Sequence, residues 1–322
     1  MVTLANAEQS QVKRATRAAY GVTLAELAGE GVPVVAVDAD LTGSTTTAKF
    51  AKAGYADRLF NCGIAEQNMV DVAAGLATTG NIAFTGSFAV FGTGRAYDQI
   101  RNTVCYSDLN VKIAPTHAGV SVGPDGGSHQ MLEDISLMAG LPHMRVLVPA
   151  DYAAAVAAIR LAAETPGPVY VRMGRAAVPC VYDDDVELEI GRAYVLREGS
   201  DATVVACGVE IREALAAADM LAEEGVSIEV IDAFSVKPLD EDTITASVAK
   251  TGCCVVAEEH SVHGGLGSAV AECLARKNPA PCEFVGVQDR FGKSGEFEEL
   301  LGYFNLDAAA IVEAVKRARG RK

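Results

Sequence analysis

RLFNCGIAEQNMV, residues 58–70, holds a single acidic residue, Glu66. It lies between a small-residue turn at Cys62 and Gly63 and an apolar helical run through Met69, Val70, Val72, Ala73 and Ala74. A carboxylate entering an apolar helix start is costly to keep charged, so its proton affinity is expected to rise. That suits a group that must hold and pass a proton near neutral pH. The plainer alternative is a helix-entry acid stabilised by the backbone dipole.

Outward from this joint the chain alternates short β-rich runs with longer Ala-rich helical runs, which predicts parallel α/β layers. Strands are expected at 32–38, 81–88, 111–117, 144–150 and 168–174, with helices over 9–29, 65–79, 94–106, 129–140 and 151–164. Near-continuous Val and Ile content says that both sheet faces are covered. Around 176–192 the run AAVPCVYDDDVELEIGR breaks the pattern with a Pro and an acidic cluster, and reads as a solvated linker. A second series follows, with strands at 201–208, 226–234, 253–260 and 281–287 and helices over 209–224, 241–249, 265–276, 294–301 and 307–319. The fold class is α/β: two doubly wound domains with mainly parallel sheets, over residues 1–182 and 191–322.

At 322 residues, half of them hydrophobic and none Trp, the chain is long enough for two cores. A net charge of −15 repels nucleic acid and anionic membrane surfaces. It leaves room for a small phosphate, which needs only about two or three well-placed cations. No stretch approaches the roughly 20 apolar residues of a membrane span. The N-terminal MVTLANAEQSQVKRATRAAYG turns polar too early for a secretory signal, so a cytoplasmic protein is expected. Eight cysteines form no C-x-x-C and mostly sit in apolar runs, which predicts buried free thiols.

Three further stretches carry chemistry. In FTGSFAVFGTGRAY, residues 84–97, Phe88 and Phe91 are spaced i, i+3 after a strand. Their faces can sandwich a flat heterocycle, at about 0.5–1.5 kcal/mol per ring contact, or simply fill the core. THAGVSVGPDGGSHQMLED, residues 116–134, puts His117, Asp125 and His129 on a Gly-rich loop after a strand, where open α/β sheets place ligands. A metal pair there lacks a third close ligand, and no metal site is expected on this chain. EEHSVHGGLGSA, residues 258–269, opens a helix after a strand but lacks a full dinucleotide fingerprint. Arg175 ends a predicted strand and so points to the same rim as the loop at 116–134.

GIAEQ followed by FTGSFAVF and THAG…GPDGGSHQ resembles the thiamine diphosphate enzymes of the transketolase family, over essentially the whole chain. The resemblance implies that Glu66 hydrogen-bonds a ring nitrogen of the cofactor's aminopyrimidine and so helps activate its thiazolium carbon. It implies that Phe88 and Phe91 flank that ring. Many transketolases carry a third aromatic where this chain has Gly94, leaving the place to Tyr97 or the partner. His117, Asp125 and His129 match sugar-contacting positions, with His129 near the forming oxyanion. Arg17, Ser44 and Arg175 match sugar-phosphate contacts, and Asp40 a position close to the cofactor. The Gly run at 264–267 then permits tight helix packing or a subunit contact.

In the same family a G-D-G stretch and a later Asn hold the diphosphate and its metal on a separate domain, and no G-D-G is found here. The resemblance therefore implies the pyrimidine-binding and C-terminal domains of a split transketolase. An N-terminal partner subunit would hold thiamine diphosphate and Mg2+ or Ca2+, in a dimer of heterodimers acting on sugar phosphates. Deoxyxylulose-phosphate synthase also writes GIAEQ, but normally with His where this chain has Asn68. The beta subunit of a 2-oxo-acid dehydrogenase is split in the same way but lacks the sugar loop. A catalytically silent assembly subunit is the reading from another class.

Overall fold

The computed structural model describes residues 2–322. Val, Ile and Ala runs form its strands, and among the described residues these are, in chain order, β1 (Lys13–Ala15), β2 (Val34–Asp38), β3 (Leu59–Asn61), β4 (Ile82–Gly86), β5 (Val111–Ile113), β6 (Arg145–Leu147), β7 (Val169–Val171), β8 (Ala177–Pro179), β9 (Tyr194–Arg197), β10 (Ala202–Ala206), β11 (Ile228–Asp232), β12 (Ser235–Lys237), β13 (Cys254–Ser261) and β14 (Cys282–Val287). A seven-stranded sheet has the order β12-β6-β7-β5-β4-β2-β3, and a five-stranded sheet the order β14-β13-β10-β11-β9. Both are parallel except at one edge, where β12 runs against β6 and β9 against β11. Every residue of β2, β10 and β11 is buried, as expected of strands covered on both faces. All eight cysteines are free.

The helices fill the crossovers. Tyr152–Glu164 is built from Ala and β-branched residues, and Asp151 caps it by accepting from the amide of Ala154 at 2.9 Å. The predicted helix over 9–29 shortens to Tyr20–Gly29. Ahead of it, β1 pairs antiparallel with β8, a tertiary contact that overrides local preference. The predicted 94–106 helix becomes two wide turns, Val90–Arg95 and Gln99–Cys105, and 129–140 contracts to Asp134–Ala139. Glycines at 265 and 267 admit the backbone close to Glu258, whose carboxylate accepts from the amides of Leu266 (2.7 Å) and Gly267 (2.8 Å). The Gly run is thus a packing device with its helix start already filled by a side chain. At the C-terminal end the basic run KRARGRK, residues 316–322, is pinned: Arg317 and Arg321 both pair with Glu283 at 2.9 Å.

The segment at 176–192 is not a solvated linker. Val178, Val181, Tyr182 and Leu188 are buried, while Asp184, Asp185, Glu187 and Glu189 stay outside. Asp151 accepts from the amides of Val181 (2.6 Å) and Tyr182 (2.9 Å), so one carboxylate caps a helix and fixes the crossing chain. The Tyr182 hydroxyl donates to Asp232 Oδ2 at 2.6 Å, at the end of β11. The chain then returns as β12 to the edge of the first sheet, so the second half completes the sheet of the first.

Burial pushes the Asp232 carboxyl up to about 7, against the Tyr182 bond. Between about pH 4 and that value the folded chain binds this proton more tightly than the unfolded chain, so the group favours folding less as pH rises. The other oxygen, Oδ1, has no partner. Tyr182→Phe therefore leaves a buried carboxyl without its one donor. It should cost about 1–3 kcal/mol, more at pH 8 than at pH 6, in thermal unfolding. Equal stability of the two proteins at pH 8 would contradict this.

Candidate active site

The carboxyl ends of β2, β3, β4, β5 and β7 all face one edge of the seven-stranded sheet, and each is followed by a residue singled out above. Asp40 and Ser44 follow β2, Glu66 follows β3, Phe88 follows β4, His117 follows β5 and Arg175 follows β7. Parallel strands deliver their following loops to one rim, which is where such sheets bind ligands.

Glu66 begins the helix Glu66–Ala77 and is only 2% exposed. Arg95 Nη1 donates to its Oε2 at 2.8 Å. The same guanidinium lies over the Phe91 ring, 4.5 Å from its centroid. Phe91 and Phe88 are nearly parallel with centroids 6.2 Å apart, less than the roughly 7 Å that a ring inserted between two aromatic faces needs. They do not form the expected sandwich. One face of Phe88 is stacked on His117 instead, at 3.7 Å, while His129 meets Phe91 edge-on at 5.3 Å. Glu66, Arg95, Phe91, Phe88 and His117 thus touch in series, with His129 against Phe91.

His117 is placed by a parallel bridge between Phe88 and Thr116 and by its own left-handed backbone, φ +63°. Its Nδ1 pairs with Thr116 Oγ1 at 2.7 Å. Burial, then the nearby Arg17, Arg175 and His129, lower its pKa to about 3. The imidazole is therefore neutral in the fold at neutral pH and contacts a ligand as a single donor or acceptor. Because the unfolded chain takes up this proton first, the group subtracts stability as pH falls from about 6.5 toward 3. In histidine-labelled protein the ring resonances of His117 should not titrate between pH 5 and 8. A midpoint near 6.5 would overturn this description of the loop.

Arg17 donates to the carbonyls of Ser44 (2.7 Å) and Arg175 (3.3 Å), and Arg175 donates to the carbonyl of Val122 (3.0 Å). Ser44 thus meets Arg17 through its backbone carbonyl. Neither guanidinium forms an ion pair with a carboxylate among the described residues. Burial and the charge of Arg175 lower the Arg17 pKa, and exposed Asp125 partly offsets this. Two half-buried guanidiniums without a carboxylate partner, beside a neutral imidazole, make a place for an anion. Asp40 is exposed, at φ +65°, and exchanges hydrogen bonds with Asn61, both 3.1 Å.

Three residues here escaped sequence reasoning. Arg95 follows Phe91 by four positions, which is the spacing that brings side chains together on a helical turn. Asp38 is fully buried and accepts from Leu41 N (2.6 Å), Thr45 Oγ1 (2.9 Å) and Thr47 Oγ1 (2.8 Å), shaping the loop that carries Ser44. Gln130 ends the GPDGGSHQ motif, but nothing local in the sequence indicates that its partner is Lys293. No group of three or more His, Cys, Asp or Glu suited to a metal occurs among the described residues, and none of their helices is long and apolar enough to cross a membrane.

The aminopyrimidine fit is tested by the group already in place. The Arg95 guanidinium is flat, carries N–H donors beside a carboxylate, and lies on an aromatic face. An aminopyrimidine is likewise flat and can lie on the same aromatic face, but its ring nitrogen accepts, so Glu66 would meet it with a carboxyl O–H as the donor.

Comparison with known proteins gives two matches in series. The family described as "Transketolase, pyrimidine binding domain" matches residues 12–181, and "Transketolase, C-terminal domain" matches 191–311. A Methanocaldococcus jannaschii protein assigned as a transketolase C-terminal section is 47% identical over 309 residues, covering 95% of this chain and 96% of the relative. Human transketolase is 38% identical over 94% of this chain, which spans 49% of the human protein. The structure of a split-gene transketolase, an inactive β4 tetramer, superposes with a TM-score of 0.87 at 50% identity, covering 96% of this chain and 99% of the other.

Proposed function

Because this chain belongs to the transketolase family, we propose that it is the C-terminal subunit of a two-subunit transketolase that moves a two-carbon ketol unit from a ketose phosphate to an aldose phosphate. An N-terminal partner would bind the diphosphate and Mg2+ or Ca2+, and two such pairs would form a dimer of heterodimers. The arrangement that carries the reading is Glu66, Arg95 and Phe91, where a buried carboxyl and an aromatic face already hold a flat nitrogen donor between them.

Thiamine diphosphate, when bound, supplies a nucleophilic carbon and a sink for the electrons of the broken C–C bond. Glu66 holds and passes a proton at its carboxyl oxygens toward the pyrimidine ring nitrogen. Phe91 and Phe88 offer apolar faces beside it, and Asp40 stands at the cofactor edge of the β2 loop. His129 donates to the oxygen on which charge develops, and neutral His117 fixes a sugar hydroxyl. Arg17 and Arg175, with the Ser44 loop and Asp125, bind and orient the phosphorylated end. That assignment leaves the reacting end of the sugar near the histidines.

Transfer from xylulose 5-phosphate by this chain with and without its N-terminal subunit tests the reading. Turnover is expected only from the pair. Robust turnover by this chain alone would end the split-enzyme account.

A further inference from the structure

The loop at 117–129 is held from the far half of the sequence. Gln130 is 4% exposed, and its Nε2 donates to Val120 O (3.0 Å) within the loop and to Lys293 O (2.9 Å) in the C-terminal domain. Its Oε1 accepts from Lys293 N at 2.7 Å. One amide thus closes a three-way tie across 163 residues, and only a side chain with both two donors and an acceptor can do so. Reversing the amide would set its NH2 against the Lys293 N–H.

The backbones are pressed together at the same place. A Cβ added to Gly127 would lie 2.7 Å from the carbonyl oxygen of Gly292, and one on Gly123 would lie 3.3 Å from that of Gly295. A Cβ on Gly126 would strike Ser294, and one on Gly292 would strike the Gln130 amide. From beneath, fully buried Glu259 of β13 accepts from the amide of Ser121 and leaves no space for a side chain at Gly119. The C-terminal domain therefore forms the floor and the outer wall of the loop that carries His117, Asp125 and His129.

We propose that Gln130 is a positioning residue through which the C-terminal domain fixes this loop and so sets the affinity and turnover for the sugar phosphate. The proposal rests on the transketolase reading for its kinetic part, and on the contacts alone for its structural part. Groups whose placement must hold to within about 1 Å lose on the order of a hundredfold in rate when their support shifts. A domain that contributes no group to the reaction thereby controls it.

Two measurements on Gln130→Met test this. In the full chain alone, hydrogen exchange at amides 118–129 should quicken at least tenfold, with β2 and β10 unchanged. In the pair with the N-terminal subunit, KM for the ketose phosphate should rise about tenfold and kcat should fall, while thiamine diphosphate affinity and assembly stay within twofold of the parent. Unchanged loop exchange in a folded variant, or KM and kcat both within twofold, would overturn the proposal. If the parent pair transfers no ketol unit, the functional reading fails instead, and the exchange result still decides whether Gln130 holds the loop. Should Gln130→Met not fold, Gly292→Ala displaces the same amide and is judged by the same outcomes.

Discussion

Glu66→Gln in the assembled pair is expected to lower ketol transfer by about 10²–10⁴-fold with folding and subunit assembly intact, the range that positioned proton transfer contributes. The substitution keeps length and shape, and the amide oxygen can still accept from Arg95 Nη1, now bonded at 2.8 Å. What it loses is the ability to take and return a proton. The Arg95 side chain is 48% exposed, so the lost ion pair is screened by water and little stability depends on it. Initial rates with xylulose 5-phosphate, beside gel filtration and circular dichroism, separate the two effects. Unchanged turnover would return the chain to the silent assembly subunit considered at the outset.

The largest stability effect is expected at Arg172, which joins the two domains beneath the loop. It is 6% exposed, and its Nε and Nη2 bond the fully buried Asp134 at 2.7 and 3.2 Å. Nη2 also donates to the carbonyl of Glu259 at 2.9 Å, and Tyr170 donates to Asp134 at 2.5 Å. Burial acts to raise the Asp134 pKa, but Arg172, with His260 and Tyr170, outweighs it and holds the carboxyl below its usual range. Burial raises Glu259 to about 7, with Arg172 and Ser121 opposing. Arg172→Met strands both acids in a dry interface. Removing one partner of such a pair costs about 3–5 kcal/mol.

The pH dependence follows from the signs. In the parent, Asp134 contributes stability above the unfolded carboxyl range and loses it as pH falls through its lowered value. In the variant the same acid is stranded and favours its proton, so acidification restores part of what was lost. The gap in thermal stability between parent and Arg172→Met should therefore narrow from pH 8 to pH 5. A gap below about 1 kcal/mol, or one that widens on acidification, would contradict the buried-pair description.

Legibility in the sequence followed the range of the contacts. The Val and Ile runs of β2, β10 and β11 announce themselves because burial on both faces leaves no polar alternation. His117 and Arg175 stand at or just after the ends of expected strands, and Glu66 and His129 are carried by their motifs. β1 and β12 were invisible because each exists only through a partner strand distant in sequence, β8 and β6. The segment over 129–133 reads as helix until Gln130 is known to bind Lys293. The i, i+3 spacing of Phe88 and Phe91 cannot reveal that His117 takes a face of Phe88. Asp151 and Tyr182 likewise turn an acidic, Pro-containing run from expected linker into interior.

The central claim is that the carboxyl at position 66 relays a proton to a cofactor ring anchored by another polypeptide. It is tested most directly by the rate at which the thiazolium C2 proton of thiamine diphosphate, bound to the pair, exchanges for deuterium. Exchange should be fast with Glu66 and slower by about 10²–10⁴-fold with Glu66→Gln at equal cofactor occupancy. Equal exchange rates in the two proteins would contradict the account.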